Sequence, residues 1–66
     1  MMKRYWFQLL TESYDELGAL IPDGSSKTTA LNRAKRWMEQ NGVDSAILAV
    51  NSMVTSNILD MIQIEL

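Results

Sequence analysis

The first regular hydrophobic pattern in the chain is at residues 3–10, which alternate as a β-strand does. Tyr5, Phe7 and Leu9 fall on one face, and Trp6 belongs to the other. Aromatic residues are also favoured in strands because they fit a pleated, half-buried surface. The pattern therefore predicts a first strand with apolar side chains on both faces.

Two more strands are predicted in the second half of the chain, at residues 43–50 and 58–66. Both are rich in β-branched and other apolar residues, and the segment between them, 51–57, is small and polar apart from its centre. We expect these two strands to form an antiparallel hairpin. In residues 58–66 the isoleucines share the face that suits a covering helix, whereas Leu59 and Met61 share the opposite face.

Residues 27–40 have the hydrophobic period of an amphipathic helix. Ser25 and Ser26 are candidate N-caps, and Asn41 followed by Gly42 is a C-terminal stop. Neither Gly nor Pro interrupts the segment. Its apolar stripe, which predicts the face that packs on a sheet, consists of Ala30, Leu31, Ala34, Trp37 and Met38, with Asn41 at the end.

The segment between the first strand and the helix, residues 11–24, contains turn-forming residues and predicts a long connection. We interpret it as a loop held in place by its apolar residues. A connection of this length is uncommon in a compact domain and is often functional, and that alternative stays open. Helical spacing also allows one short helical turn, through Tyr14, Leu17, Leu20 and Ile21.

The element order β-α-β-β predicts a single small α+β domain over residues 1–66. We expect a three-stranded mixed sheet covered on one face by one helix, with a right-handed first crossover and the last strand in the centre. The other face is then open, and it receives one register of residues 46–50. The candidate interface residues on that open face are Trp6, Leu10, Leu59 and Met61.

That open face carries more apolar surface than a small monomer leaves in water. The pattern therefore favours a homodimer or a higher homo-oligomer, formed by stacking sheets or joining their edges, and a different protein partner is the alternative occupant. We interpret the chain as a non-enzymatic protein–protein interaction module.

Composition excludes much of the common site chemistry. The chain has 66 residues, 47% of them hydrophobic, and neither Cys nor His. Disulfides, thiolate metal sites, imidazole ligands and every catalytic arrangement that needs His or Cys are therefore excluded. We expect no enzyme activity, no metal and no cofactor. The lack of Cys and of any apolar run near ~18 residues predicts a cytoplasmic protein without a membrane span.

Charge adds two candidate sites to this picture. Lys27, Arg33, Lys35 and Arg36 are candidate contacts for a weakly bound anion or for nucleic acid. The net charge of −2 disfavours nucleic acid as a partner, and it remains an alternative only. A second cluster consists of three acids, Glu12, Asp15 and Glu16. We interpret it as a solvated turn, because its spacing matches no calcium-binding loop.

Two protein groups resemble the whole chain. Residues 3–7, the cap at 25–28 and the final strand ending at 62–66 resemble short uncharacterised β-α-β-β proteins of gut anaerobic bacteria. Element order, length, a Ser-rich helix start and a C-terminal apolar strand are also similar to dodecin, a small flavin-storing protein. That likeness implies assembly through sheet contacts and, as an alternative function, flavin binding by an oligomer. The tryptophan that stacks on flavin in dodecin has no aromatic counterpart at 43–46.

Overall fold

The computed structural model describes residues 4–55 and 57–66. Its order of elements confirms the predicted β-α-β-β arrangement and the α+β class. Lys3, predicted as the start of the first strand, lies outside the described residues. The elements are β1 (Tyr5–Leu10), α1 (Lys27–Asn41), β2 (Ser45–Ser52) and β3 (Ile58–Glu65).

Local capping signals place both ends of α1. Ser26 is the N-cap, and its hydroxyl accepts a hydrogen bond from the N–H of Thr29 at 3.1 Å. The Ser25 hydroxyl instead donates to the carbonyl of Pro22. At the other end Gly42 has a φ of 67°, in the left-handed region, and its N–H donates to the carbonyl of Met38. A glycine suits this C-terminal position because it has no Cβ to oppose that conformation.

The sheet is antiparallel throughout, and β2 lies between β1 and β3. The predictions of a mixed sheet, of a right-handed parallel crossover and of a central last strand are therefore wrong. The strand sequences contain the reason. Residues 46–50 are five apolar residues in succession, the pattern of a strand covered on both faces, whereas Asp60, Gln63 and Glu65 interrupt β3.

The connection from β1 to α1 explains why β1 and β2 are antiparallel. It turns back and follows β1 closely: the N–H of Leu17 donates to the carbonyl of Leu9, and the N–H of Gly24 donates to the carbonyl of Tyr5. No helical turn forms in it. The helix consequently begins near the start of β1 and runs in the direction of β1, so that β2 has to return in the opposite direction.

One face of the sheet and the apolar stripe of α1 form the core, which confirms that the helix covers one face. Two alanines in the stripe, Ala30 and Ala34, are fully buried in this core. Leu17 and Ile21 of the connection pack against the same core, as expected for a loop held by its apolar residues. The buried core residues are Phe7, Leu9, Ala30, Ala34, Met38, Ala46, Leu48, Val50 and Ile64.

Candidate interaction surface

The two outer edges of the sheet differ in how they are covered. The connection bonds to the outer edge of β1 at Tyr5 and Leu9, and Leu10 forms a β-bridge with Glu16. Within residues 4–55 and 57–66, no segment pairs with the outer edge of β3. The sheet therefore has one covered edge and one bare edge.

Backbone hydrogen bonds show which residues of β3 face the bare edge. The N–H of Leu66 donates to the carbonyl of Asp44, on the β2 side. Residues that bond inward and outward alternate along an antiparallel strand, so the backbone groups of Glu65, Gln63 and Met61 point away from β2. An independent observation agrees, because the N–H of Met61 donates to a carboxylate oxygen of Asp60 at 2.9 Å rather than to β2.

A β-bulge interrupts β3 near its start. Val50 lies opposite Asp60 and Asn51 lies opposite Ile58, so Leu59 has no partner in the β2 register. A bulge bends the strand and ends regular pairing locally. The regular part of β3 therefore begins at Asp60.

Large apolar side chains remain exposed along β3. Four of them have 40–59% of their surface in contact with solvent: Ile58, Leu59, Met61 and Leu66. We name these four side chains and the bare edge the β3 surface. Other exposed large hydrophobics lie in the connection or in the turn between β2 and β3, away from any strand: Tyr14, Leu20, Met53 and Val54.

The predicted interface residues do not all contribute to this surface. Leu59 and Met61 are exposed, and Trp6 is half-buried. Leu10 is only 8% exposed and offers little surface for binding. Ala49, in the middle of the open face, is also buried. Exposed apolar surface is therefore displaced from the centre of the open face towards β3.

Polar side chains account for much of the remaining open face. The amide of Gln63 donates to the hydroxyl of Ser45 at 3.0 Å, and that hydroxyl donates to the carboxylate of Glu12 at 3.0 Å. These two contacts join the connection, β2 and β3 at the end of the sheet where β2 begins. Nearer the other end, the amide of buried Asn51 donates to the side-chain oxygen of Gln8 at 3.4 Å, between β2 and β1.

The three acids of the connection point to different partners. Glu12 accepts from Ser45, whereas Glu16 lies 3.5 Å from the amide nitrogen of Gln8. Asp15 bonds through its backbone to Thr11. No group of three carboxylates in the described part of the chain is arranged to hold a metal ion.

The four candidate basic residues are dispersed around α1. The ammonium group of Lys27 lies 5.6 Å from the centre of the Tyr5 ring, a cation–π contact. Arg33 and Arg36 line a shallow groove of about 270 Å³ between α1 and the connection, which Leu20 and Trp37 also line.

Lys35 does not line that groove. Successive residues of an α-helix are about 100° apart, so Lys35 lies about 200° around α1 from Arg33. The four cations therefore do not form one continuous basic surface. The sequence alone places Arg33 and Trp37 on the same side of α1, because they are four residues apart. It does not predict the other side of the groove, which is formed by the connection.

Comparison of the chain with models of protein families, with curated proteins and with solved structures gives no match. The resemblances to the small β-α-β-β proteins and to dodecin stay predictions. No helix within residues 4–55 and 57–66 is long and apolar enough to cross a membrane.

Proposed function

We propose that this chain is a small, non-enzymatic self-association module that forms a homodimer through the β3 surface. One observation carries the proposal: the connection covers the outer edge of β1, while β3 leaves both its edge and its large apolar side chains exposed. The lack of Cys supports a cytoplasmic setting.

The physical argument combines two terms that favour association at β3. Met61 and Leu66 have 40% and 54% of their surface in water, and removing apolar surface from water is favourable. The bare edge adds backbone donors and acceptors at regular spacing, which readily pair with another strand. Neither term is available to the same extent at β1.

A second copy of the chain is the occupant that these groups fit best. Antiparallel pairing of two identical edges about a two-fold axis gives each outward N–H and C=O an equivalent partner. It also brings Met61 and Leu66 of both copies to one interface. The product is a continuous six-stranded antiparallel sheet with both helices on the same face.

The test compares the oligomeric state of the native chain with that of the Met61→Glu/Leu66→Glu variant. We expect sedimentation equilibrium at tens of micromolar to give a dimer for the native chain. Two added carboxylates on each copy should weaken the dimer by at least about tenfold, because β3 already carries Asp60 and Glu65 and no basic residue, so pairing brings acids together at the shared edge.

The matched control is Leu20→Glu/Val54→Glu, which adds the same charge at two exposed apolar residues outside the sheet. We expect it to remain dimeric. Far-ultraviolet circular dichroism verifies that all variants are folded. A native chain that sediments as a monomer at these concentrations contradicts the proposal, as does equal weakening by both double variants.

A further inference from the structure

We infer that two copies pair their β3 strands in one register, centred on Gln63, an inference that rests on the proposed self-association. In this register Gln63 lies opposite the partner's Gln63, and Met61 lies opposite the partner's Glu65. Ile62 lies opposite the partner's Ile64, and Asp60 lies opposite the partner's Leu66.

The position of the bulge is the first reason for this register. Leu59 has no place in the ladder with β2, so the regular part of β3 extends from Asp60 to Glu65. Gln63 is the middle one of the three outward-facing residues in that segment. A two-fold axis at Gln63 pairs these three residues of one copy with those of the other and leaves the bulge outside.

The direction of the backbone groups is the second reason. Met61, Gln63 and Glu65 are the residues whose N–H and C=O groups face the bare edge. In antiparallel strands, residues that exchange both hydrogen bonds lie directly opposite one another. The register centred on Gln63 pairs outward-facing residues only with outward-facing residues, so every such group within 61–65 obtains a partner.

Charge separates this register from the neighbouring one, centred on Ile62. That alternative places the carboxylate of Asp60 opposite the partner's Ile64, a core residue that is only 2% exposed in each copy. It also brings bulged Leu59 into the ladder. Centring on Gln63 instead places Asp60 opposite Leu66 and Glu65 opposite Met61, which are 54% and 40% exposed.

The two Glu65 carboxylates remain far apart in the register centred on Gln63. They are offset by four residues along the strands, about 14 Å at ~3.4 Å per residue. That distance exceeds the Debye length of about 8 Å at physiological ionic strength. Repulsion between these carboxylates is therefore largely screened.

Single-cysteine cross-linking tests the register, because the chain contains no Cys of its own. Three variants are prepared separately: Gln63→Cys, Ile62→Cys and Met61→Cys. Each is oxidised in a glutathione buffer, and the disulfide-linked dimer is quantified on non-reducing gels. Directly opposite residues in a hydrogen-bonded pair have Cα atoms roughly 5.5 Å apart, within the usual range for a disulfide. We expect Gln63→Cys to cross-link at least about tenfold faster than the other two.

A mixture of Met61→Cys and Glu65→Cys chains provides a second measurement. These two residues lie opposite one another in the inferred register, so we expect a mixed disulfide to exceed either symmetric one. Fastest cross-linking at Ile62 or Met61, with a dimer by sedimentation, overturns the register but leaves self-association standing. A monomer by sedimentation overturns both the register and the proposed function.

Discussion

Asp60 occupies the point at which a second strand would extend the sheet. Its carboxylate accepts a hydrogen bond from the N–H of Met61, the same group that pairing at the bare edge needs. Charged residues on edge strands commonly limit pairing with other chains. Asp60 therefore competes with a second copy for one backbone donor.

Replacing Asp60 by alanine is expected to tighten the dimer. The Asp60→Ala variant releases the N–H of Met61 in both copies, and each hydrogen bond gained contributes about 0.5–1.5 kcal/mol. We expect the dissociation constant measured by sedimentation equilibrium to fall about tenfold, which corresponds to about 1.4 kcal/mol.

Asp23→Ala is the control for the loss of a negative charge, since Asp23 is an exposed acid in a turn outside the sheet. We expect it to change the dissociation constant by less than about twofold, because an exposed charge far from the interface is screened by salt. Equal tightening by the two variants would assign the effect to net charge and not to the edge of β3.

Among the elements, the helix depends most on local signals. Ser26 caps its first turn, whereas the neighbouring Ser25 bonds to Pro22. We expect Ser26→Ala to lower the free energy of unfolding by about 1 kcal/mol, because the N–H of Thr29 then loses its acceptor.

Urea denaturation followed by circular dichroism measures that change. Ser25→Ala removes an identical hydroxyl one residue earlier, and we expect it to cost only a few tenths of a kcal/mol because its bond is exposed. The assignment of Ser26 as the N-cap is wrong if Ser25→Ala proves the more destabilising substitution.

The elements show why the helix and strands could be predicted while the pairing of β1 with β2 could not. Alternation and capping are local properties, so α1 and all three strands follow from the sequence. The pairing of β1 with β2 depends on residues 11–24, an irregular segment without a hydrophobic period. The uninterrupted apolar run at 46–50 indicates that β2 is the central strand. The polar residues of β3 indicate an edge strand, which is consistent with this.

The candidate surface was predictable in part for the same reason. Alternation assigns Met61 to the open face, and the structure exposes it. The burial of Leu10 and the bulge at Leu59 depend on tertiary contacts and strand register, which no local pattern specifies. The hydrogen bond from Met61 to Asp60 had no signal in the sequence.

For the whole molecule, small size links stability to association. A single core in a chain of 7.5 kDa supplies about 3–5 kcal/mol, and binding at a hundredfold excess over the dissociation constant adds about 2.7 kcal/mol. Two chains of a dimer share this gain, so we expect the thermal midpoint to rise by roughly 5–11 °C between about 10 µM and 1 mM protein, at roughly 4–8 °C per kcal/mol.

Differential scanning calorimetry over that concentration range measures the shift. The Met61→Glu/Leu66→Glu variant should show a smaller rise over the same range, because its dimer is weaker. A constant midpoint for the native chain would separate folding from self-association.

The course of the connection along β1 also has a consequence during protein synthesis. Tyr5 pairs with Ser52, so β1 leaves the ribosome long before its partner in the sheet has been made. Loop closure over short separations is faster and costs less entropy. Leu17 and Gly24 bond to β1 from nearby in the chain, so this connection is the first segment able to shield the aromatic strand from other nascent chains.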